Sequence, residues 1–208
     1  MRRRAVYILS CALLGGGIWQ LSGATYIHAK AGLAQVMLRA AWGQSLADGP
    51  PRPPWPGADT WPVARLRIVS AKIDALVLAN ASGHALAFGP THVAGSADPG
   101  AAGNSIIIAH RDTHFRFLGY LNPGDRITVQ TRDGIEHRFA VTAAYVADSR
   151  TTLIEDETPR PRLTLVTCYP FDAIQPGGPL RYIVEADLVN GFGNSIGTEM
   201  AAVRPDIL

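Results

Sequence analysis

Of the two cysteines in this 208-residue chain, one closes a run of apolar and β-branched residues, 164-TLVTCYP-170. A thiol delivered to the end of a strand serves packing, a disulfide, a metal or nucleophilic attack. As a nucleophile, Cys168 would react through its thiolate and would need a base or a cation beside it. His110 closes a second apolar run, 105-SIIIAH-110, in the same strand-end setting. Arg181 opens the next strand-like run, after the turn-rich stretch 171–179. Its guanidinium would bring a permanent charge and a fork of donors suited to an acyl oxyanion. If these strand ends share one rim, thiol, imidazole and guanidinium meet as the equipment for acyl transfer.

Other readings stand beside this one. Taken alone, Cys168 is a buried inert thiol, since free cysteine is among the most buried residue types. A disulfide to Cys11 is excluded if that residue lies in a membrane segment and Cys168 outside it. His114 follows His110 by four positions and raises a metal site shared with Cys168. Zinc normally takes more protein ligands than these, and neither a second cysteine nor an acidic motif supplies them. No metal or other cofactor is expected. The adjacent Glu155, Asp156 and Glu157 read as solvated carboxylates, and His84, His92 and His137 as exposed. Asp112 would orient the imidazole or the substrate, or equally form a loop salt bridge with Arg111 or Arg116. Thr167 would help orient substrate or supply an oxyanion donor.

These residues need a scaffold, and the composition provides for one. Hydrophobic residues make up 47% and charged residues 17%, enough for a core and unlike a disordered chain. The net charge of +2, with no basic patch interleaved with aromatics, gives no sign of a nucleic-acid partner. The N-terminus sets the compartment. After Arg2, Arg3 and Arg4, residues 5–27 carry no charge, about the length that spans a bilayer as a helix. A cleaved signal peptide is the competitor, but this stretch exceeds the usual signal core. Ile8-Leu9-Ser10-Cys11 is too close to the arginines to be a lipoprotein cleavage box. The expectation is an uncleaved anchor over 1–27, with the arginines cytoplasmic and the rest outside. An unpaired Cys168 in that oxidising space points towards chemistry.

Leu33, Val36, Met37, Ala40 and Ala41 recur at helical spacing, predicting an amphipathic helix after the anchor. The segment 49-GPPRPPWPGADTWP-62 holds six prolines and predicts an extended spacer, completing a 28–62 connector. From Val63 short β-type runs follow: 63–70, 75–79, 105–110, 126–131, 136–147, 162–168 and 181–189. Asp133-Gly134 is a two-residue hairpin signal, and 114–121 suits a turn or two of helix. Many short strands with glycine and proline between them predict an all-β antiparallel sandwich or barrel over 63–190, with a tail over 191–208.

The order histidine, then TLxTC, then arginine resembles the sortases, cysteine transpeptidases of bacterial surfaces. The resemblance rests on 103-GNSIIIAHRDTHFRFLGYLNPGD-125, 164-TLVTCYP-170 and 179-PLRYIV-184, and runs from about Ala64 to Asp187. In detail it is most similar to short sortases of Gram-negative, often marine, proteobacteria. Ala109 departs from the glycine that many sortases place before the histidine; both are small. The resemblance implies an all-β fold: a closed sortase-type β-barrel of about eight strands with short helices, preceded by the transmembrane helix. It implies that Cys168 attacks an LPXTG-like sorting signal in the tail of a target protein and that an amine acceptor resolves the thioester. His110 would be the general acid and base, and Arg181 the stabiliser of substrate or oxyanion. With the anchor, this places the enzyme in the inner membrane with its catalytic domain on the periplasmic side. The competing class is a catalytically silent, membrane-tethered β-barrel that binds a partner's C-terminal tail. Murein L,D-transpeptidases also pair cysteine with histidine, but their S-x-G-C context is absent, and papain-like enzymes place cysteine first.

Overall fold

The strand-forming half of the chain closes on itself. In the computed structural model, which describes residues 2–175 and 177–189 and part of the side chains of residues 2–28, eight strands form one barrel in the order β1-β2-β3-β4-β7-β8-β6-β5. They are β1 (Pro62–Ile68), β2 (Ile73–Leu78), β3 (Thr91–His92), β4 (Asn104–Ile108), β5 (Arg126–Thr131), β6 (Glu136–Asp148), β7 (Arg162–Cys168) and β8 (Leu180–Leu188). Two helices, α1 (Arg2–Asp48) and α2 (Gly83–Phe88), and a 3₁₀ turn over Arg116–Tyr120 complete it. The tail expected over 191–208 lies outside the described residues, as does the side chain of Cys11.

The interior is filled by alternate residues of the strands. Along β1, Ala64, Leu66 and Ile68 are buried while Arg65 and Arg67 are only partly so, the period that a one-sided strand demands. Leu163 and Leu165 of β7 and Val184 and Ala186 of β8 share this core with Phe115, Leu118 and Phe139. A second, smaller apolar cluster sits on the outer face of the same wall: Ile106, Val166, Ile183 and Ala147, partly covered by Val93, Ile108 and Ile154. With apolar groups on both faces, β7 is buried along its length from Leu163 to Thr167.

The ladder departs from the all-antiparallel expectation at two places. β4 pairs with β7 in parallel, and β2 with β3 likewise. The unbroken apolar runs of β4 and β7 belong to strands covered on both faces, where parallel pairing is usual. β3, only two residues long, is not among the expected strands. A hairpin forms at Asp133-Gly134, but over a three-residue loop instead of the expected two: the Thr131 N–H donates to the Ile135 carbonyl at 3.0 Å, and Gly134, at φ +82, donates to the Thr131 carbonyl at 2.9 Å.

The N-terminal half differs more. The expected boundary at 27/28 is crossed by one helix of 47 residues, about 70 Å long. Among the described residues no helix is long and apolar enough to cross a membrane; much of the 5–27 stretch is described by its backbone alone. Of the predicted stripe Ala41 is buried and Met37 half-buried, but Leu33 and Val36 are exposed at 60% and 64%; Ala34, Leu38, Trp42 and Ser45 complete the packed face. The small Ala34, Ala41 and Ser45 let the helix axis approach the barrel closely, a preference that hydrophobicity alone does not reveal. Gln35 Nε2 donates to the Phe88 carbonyl at 2.7 Å and fastens α1 to α2. The proline-rich spacer has no regular structure, and Trp55 stacks edge-on against Phe88 with ring centroids 5.0 Å apart.

Candidate active site

The register of three strands sets the site. β7 and β8 run antiparallel with Cys168 directly opposite Arg181, so both side chains leave the same face of the sheet. β4 runs parallel to β7 with Ile108 beside Val166, and the ladder extends beyond this pair: the Ala109 N–H donates to the Val166 carbonyl at 3.2 Å. Continuing the register brings His110 alongside Cys168. Ala109 belongs to the interior core and Ile106 and Ile108 to the outer cluster. Alternation therefore sends His110 outwards, to the face that carries Val166, Cys168 and Arg181. His110 is exposed and Cys168 half-buried with a free thiol, an access pattern that suits a nucleophile better than a structural cysteine.

His110 lies just past the end of β4, where its backbone is still held. The Phe115 N–H donates to the His110 carbonyl at 2.9 Å, and Phe115 is fully buried. The loop after the histidine is thus anchored in the core at its far side. Arg181 Nη1 donates to the carbonyls of Gly178 at 2.7 Å and Leu180 at 2.9 Å. Among the described residues its Nε and Nη2 have no hydrogen-bond partner, leaving that edge of the fork for an incoming oxygen. Hydrogen bonds from Arg150, with the charge of Arg181 as a smaller contribution, hold the Asp148 carboxyl down at about 2.

The lesser candidates separate. Thr167 is buried, and its hydroxyl donates to the Ala109 carbonyl at 2.7 Å. It fastens the ends of β4 and β7 next to His110 and Cys168, on the inward side of the wall. Asp112 is exposed, and no ion pair joins it to Arg111 or Arg116 among the described residues. Its charge is felt by His114, whose pKa lies below the usual value chiefly through burial, with the charge of His110 adding to the depression. The backbone of Ala87 in α2 acts on His114 in the opposite sense and favours its charged form. Glu155 and Asp156 act through their backbone: their carbonyls accept from the Asn104 side chain at 2.8 Å and the Asn104 N–H at 2.9 Å. Among the described residues no three His, Cys, Asp or Glu side chains converge as metal ligands. His84 is exposed as expected, but His92 and His137 are half-buried in a recess elsewhere on the barrel.

Sequence reading gives Arg111 only the part of a partner for Asp112. The side chain is 8% exposed, and its Nη2 donates at 2.9 Å to both the Ala173 and the Gln175 carbonyls of the β7–β8 loop. Nothing in the composition of that loop marks its carbonyls as acceptors. The only available signal is position, an arginine directly after the candidate base.

Comparison with known proteins bears on the fold and the family. The family model described as the sortase domain matches residues 66–189. Sortase D of Bacillus subtilis (strain 168) is 32% identical over 97 residues, 46% of this chain; the match spans 48% of that relative's length. A Clostridium perfringens sortase D5 transpeptidase superposes with a TM-score of 0.62 at 20% identity, covering 76% of this chain and 99% of that one. Sortase A from Corynebacterium diphtheriae superposes with a TM-score of 0.59 at 22% identity, covering 78% and 86%. These structural likenesses speak for the fold, and the family match, which takes in more than half of the residues, goes further: the chain belongs to the sortase family.

Proposed function

We propose that the protein is a membrane-anchored sortase that cleaves an LPXTG-like sorting signal near the C-terminus of a target protein and passes the target to an amine acceptor outside the cytoplasm. The observation that supports it most is the shared register, with Arg181 opposite Cys168 and His110 following the last β4–β7 pair on the same face. In the first step the Cys168 thiolate attacks the threonine carbonyl carbon of the Thr–Gly bond. Arg181, through the free edge of its guanidinium, stabilises the oxyanion. Collapse breaks the C–N bond, His110 protonates the departing glycine amine, and a thioester remains. In the second step His110 takes a proton from the acceptor amine as it attacks the thioester carbon. The C–S bond then breaks, and the thiolate returns.

The surroundings support a substrate that is apolar ahead of the scissile bond. Ile108, in the outer cluster beside Cys168, is only partly covered. Leu153 and Ile174, on the loops to either side of β7, stand 94% and 98% exposed. Ile174 belongs to the loop that joins Cys168 to Arg181, where an exposed apolar side chain can meet the substrate. Anchoring rests on α1, whose helical backbone begins at Arg2 and runs unbroken to Asp48. Such a helix would carry residues 5–27 through a bilayer and still lay Ala34 to Ser45 against the barrel. The resemblance of the motif segments to the short sortases of Gram-negative proteobacteria supports an inner membrane, with the catalytic domain on its periplasmic side.

Intact-mass analysis of the full chain with an LPXTG-type peptide tests the reading. The wild type is expected to gain the mass of an acyl group, removable by hydroxylamine, and Cys168→Ala to gain none while keeping its circular dichroism spectrum. A wild type that binds the peptide without forming a thioester would instead establish the silent tail-binding barrel.

A further inference from the structure

The loop between β7 and β8, residues 169–179, joins the strand end that holds Cys168 to the strand start that holds Arg181. Its first residues are packed: the Phe171 and Tyr182 ring centroids lie 5.1 Å apart, and a Cβ added at Gly119 would come within 3.0 Å of Phe171. Among the described residues its middle has no apolar anchor. Ile174 is 98% exposed and Gln175 is exposed too. What holds that middle is Arg111, the residue after His110, through the two carbonyl bonds from Nη2. Farther along, the Gly178 carbonyl accepts from Arg181 Nη1. A line of contacts therefore leads from the candidate base, through Arg111 and the loop, to the candidate oxyanion group.

The burial of Arg111 is expensive. A desolvated guanidinium is ordinarily matched by a carboxylate, and apolar replacements of buried ionic groups are often neutral or stabilising. Among the described residues no carboxylate pairs with Arg111, and its Nη1 is buried without an acceptor. Stability is a weak reason to keep such a residue. We propose that Arg111 is a positioning residue: it pins the β7–β8 loop to the strand end that carries His110, and so fixes where Arg181 stands relative to Cys168. This rests on the reading of the rim as an acyl-transfer site.

The test uses the full chain and an LPXTG-type peptide, with single-turnover thioester formation followed by intact mass. Arg111→Met is expected to keep or raise the melting temperature yet slow acylation by about tenfold or more, as displaced catalytic groups do. In an Arg181→Ala background the same substitution is expected to cost about threefold or less, because its effect passes through Arg181. Arg111→Lys should recover part of the rate, since one ammonium can donate to both carbonyls, and it carries the test if the methionine variant does not fold. Amide exchange at residues 172–175 should speed up in Arg111→Met. An unchanged acylation rate, an equal loss in both backgrounds, or unchanged exchange in that loop overturns the proposal. A wild type that forms no thioester, with faster loop exchange in Arg111→Met, instead overturns the transpeptidase reading and leaves the pin in place.

Discussion

Two regions of the barrel bring histidine to the surface, and they differ in what surrounds it. One is the rim of β4, β7 and β8 with His110, Cys168 and Arg181. The other is a recess of about 430 Å³ between the loop after β3 and the β5–β6 hairpin, lined by His92, His137, Asp98, Asp133 and Arg132. The recess is a formed cavity and gathers the larger set of titratable groups. Its histidines, however, are occupied. His92 Nε2 donates to the Ala97 carbonyl at 3.0 Å, and His137 Nε2 lies 3.4 Å from the Thr131 hydroxyl. Gly100, at φ +91, packs so close to the His137 ring that an added Cβ would lie 2.1 Å from it. Imidazoles hydrogen-bonded in place and packed by backbone are structural. At the rim, His110 is exposed, with a thiol and a guanidinium on its own face. The difference teaches that register, more than concavity, brings reactive groups together in this fold.

The comparison breaks most sharply with matched substitutions. His110→Gln is expected to lower the rate of transpeptidation by about 100- to 10,000-fold, the usual worth of a general acid and base. His137→Gln should leave it within about threefold, as substitutions away from a site usually do on the scale of stability. Steady-state kinetics with a fluorogenic sorting peptide reads both. Comparable losses from the two variants would make the recess part of the site and erase the contrast. A smaller effect is expected from Arg181→Lys, which keeps the charge but gives up the planar fork. About 10- to 100-fold in kcat, with KM changed little, would mark a group that acts in the transition state. A change confined to KM would move Arg181 from oxyanion stabiliser to substrate anchor.

Much of the rim is legible in the sequence because its residues sit at strand ends, where an apolar run starts or stops. Cys168 closes β7, Arg181 lies one residue into β8, and His110 follows β4 by two residues. Their order also matches a family pattern. The parallel pairing of β4 with β7 is not legible, since residues 109–161 separate the two strands and no local signal encodes a partner so distant. α2 escapes a reading by periodicity although Ser82 is a fitting N-cap, its hydroxyl accepting from the Ala85 N–H at 3.1 Å. A six-residue helix offers too few turns to stand out. The face of α1 is misjudged in part: Ala41 lies on the expected stripe and is buried, but the packed face turns through Ala34, Leu38, Trp42 and Ser45, where small residues with little hydrophobic signal let the helix approach the barrel. Arg111 escapes because its partners are backbone carbonyls, and any loop has those.

The smallest expected effect lies at the edge of the rim, where a histidine resembles those of the recess more than it resembles His110. Burial is the main cause holding the pKa of His114 below its ordinary value of 6.5; the His110 charge depresses it further, while the Ala87 backbone and Asp112 act in the opposite sense. The unfolded chain therefore binds a proton at this site at a higher pH than the folded one does. Above the unfolded value neither state is protonated, and the contribution of His114 to stability is complete. As the pH falls from there through the folded value, the unfolded state takes up its proton first and stability declines. Below the folded value the loss from this group is complete. His114→Gln cannot titrate, so its stability should fall less steeply on the acid side of pH 6.5 than that of the wild type. Urea denaturation across the range from about pH 8 to 5 measures the two slopes. Parallel slopes would mean that His114 titrates alike in both states, and that its burial carries no penalty.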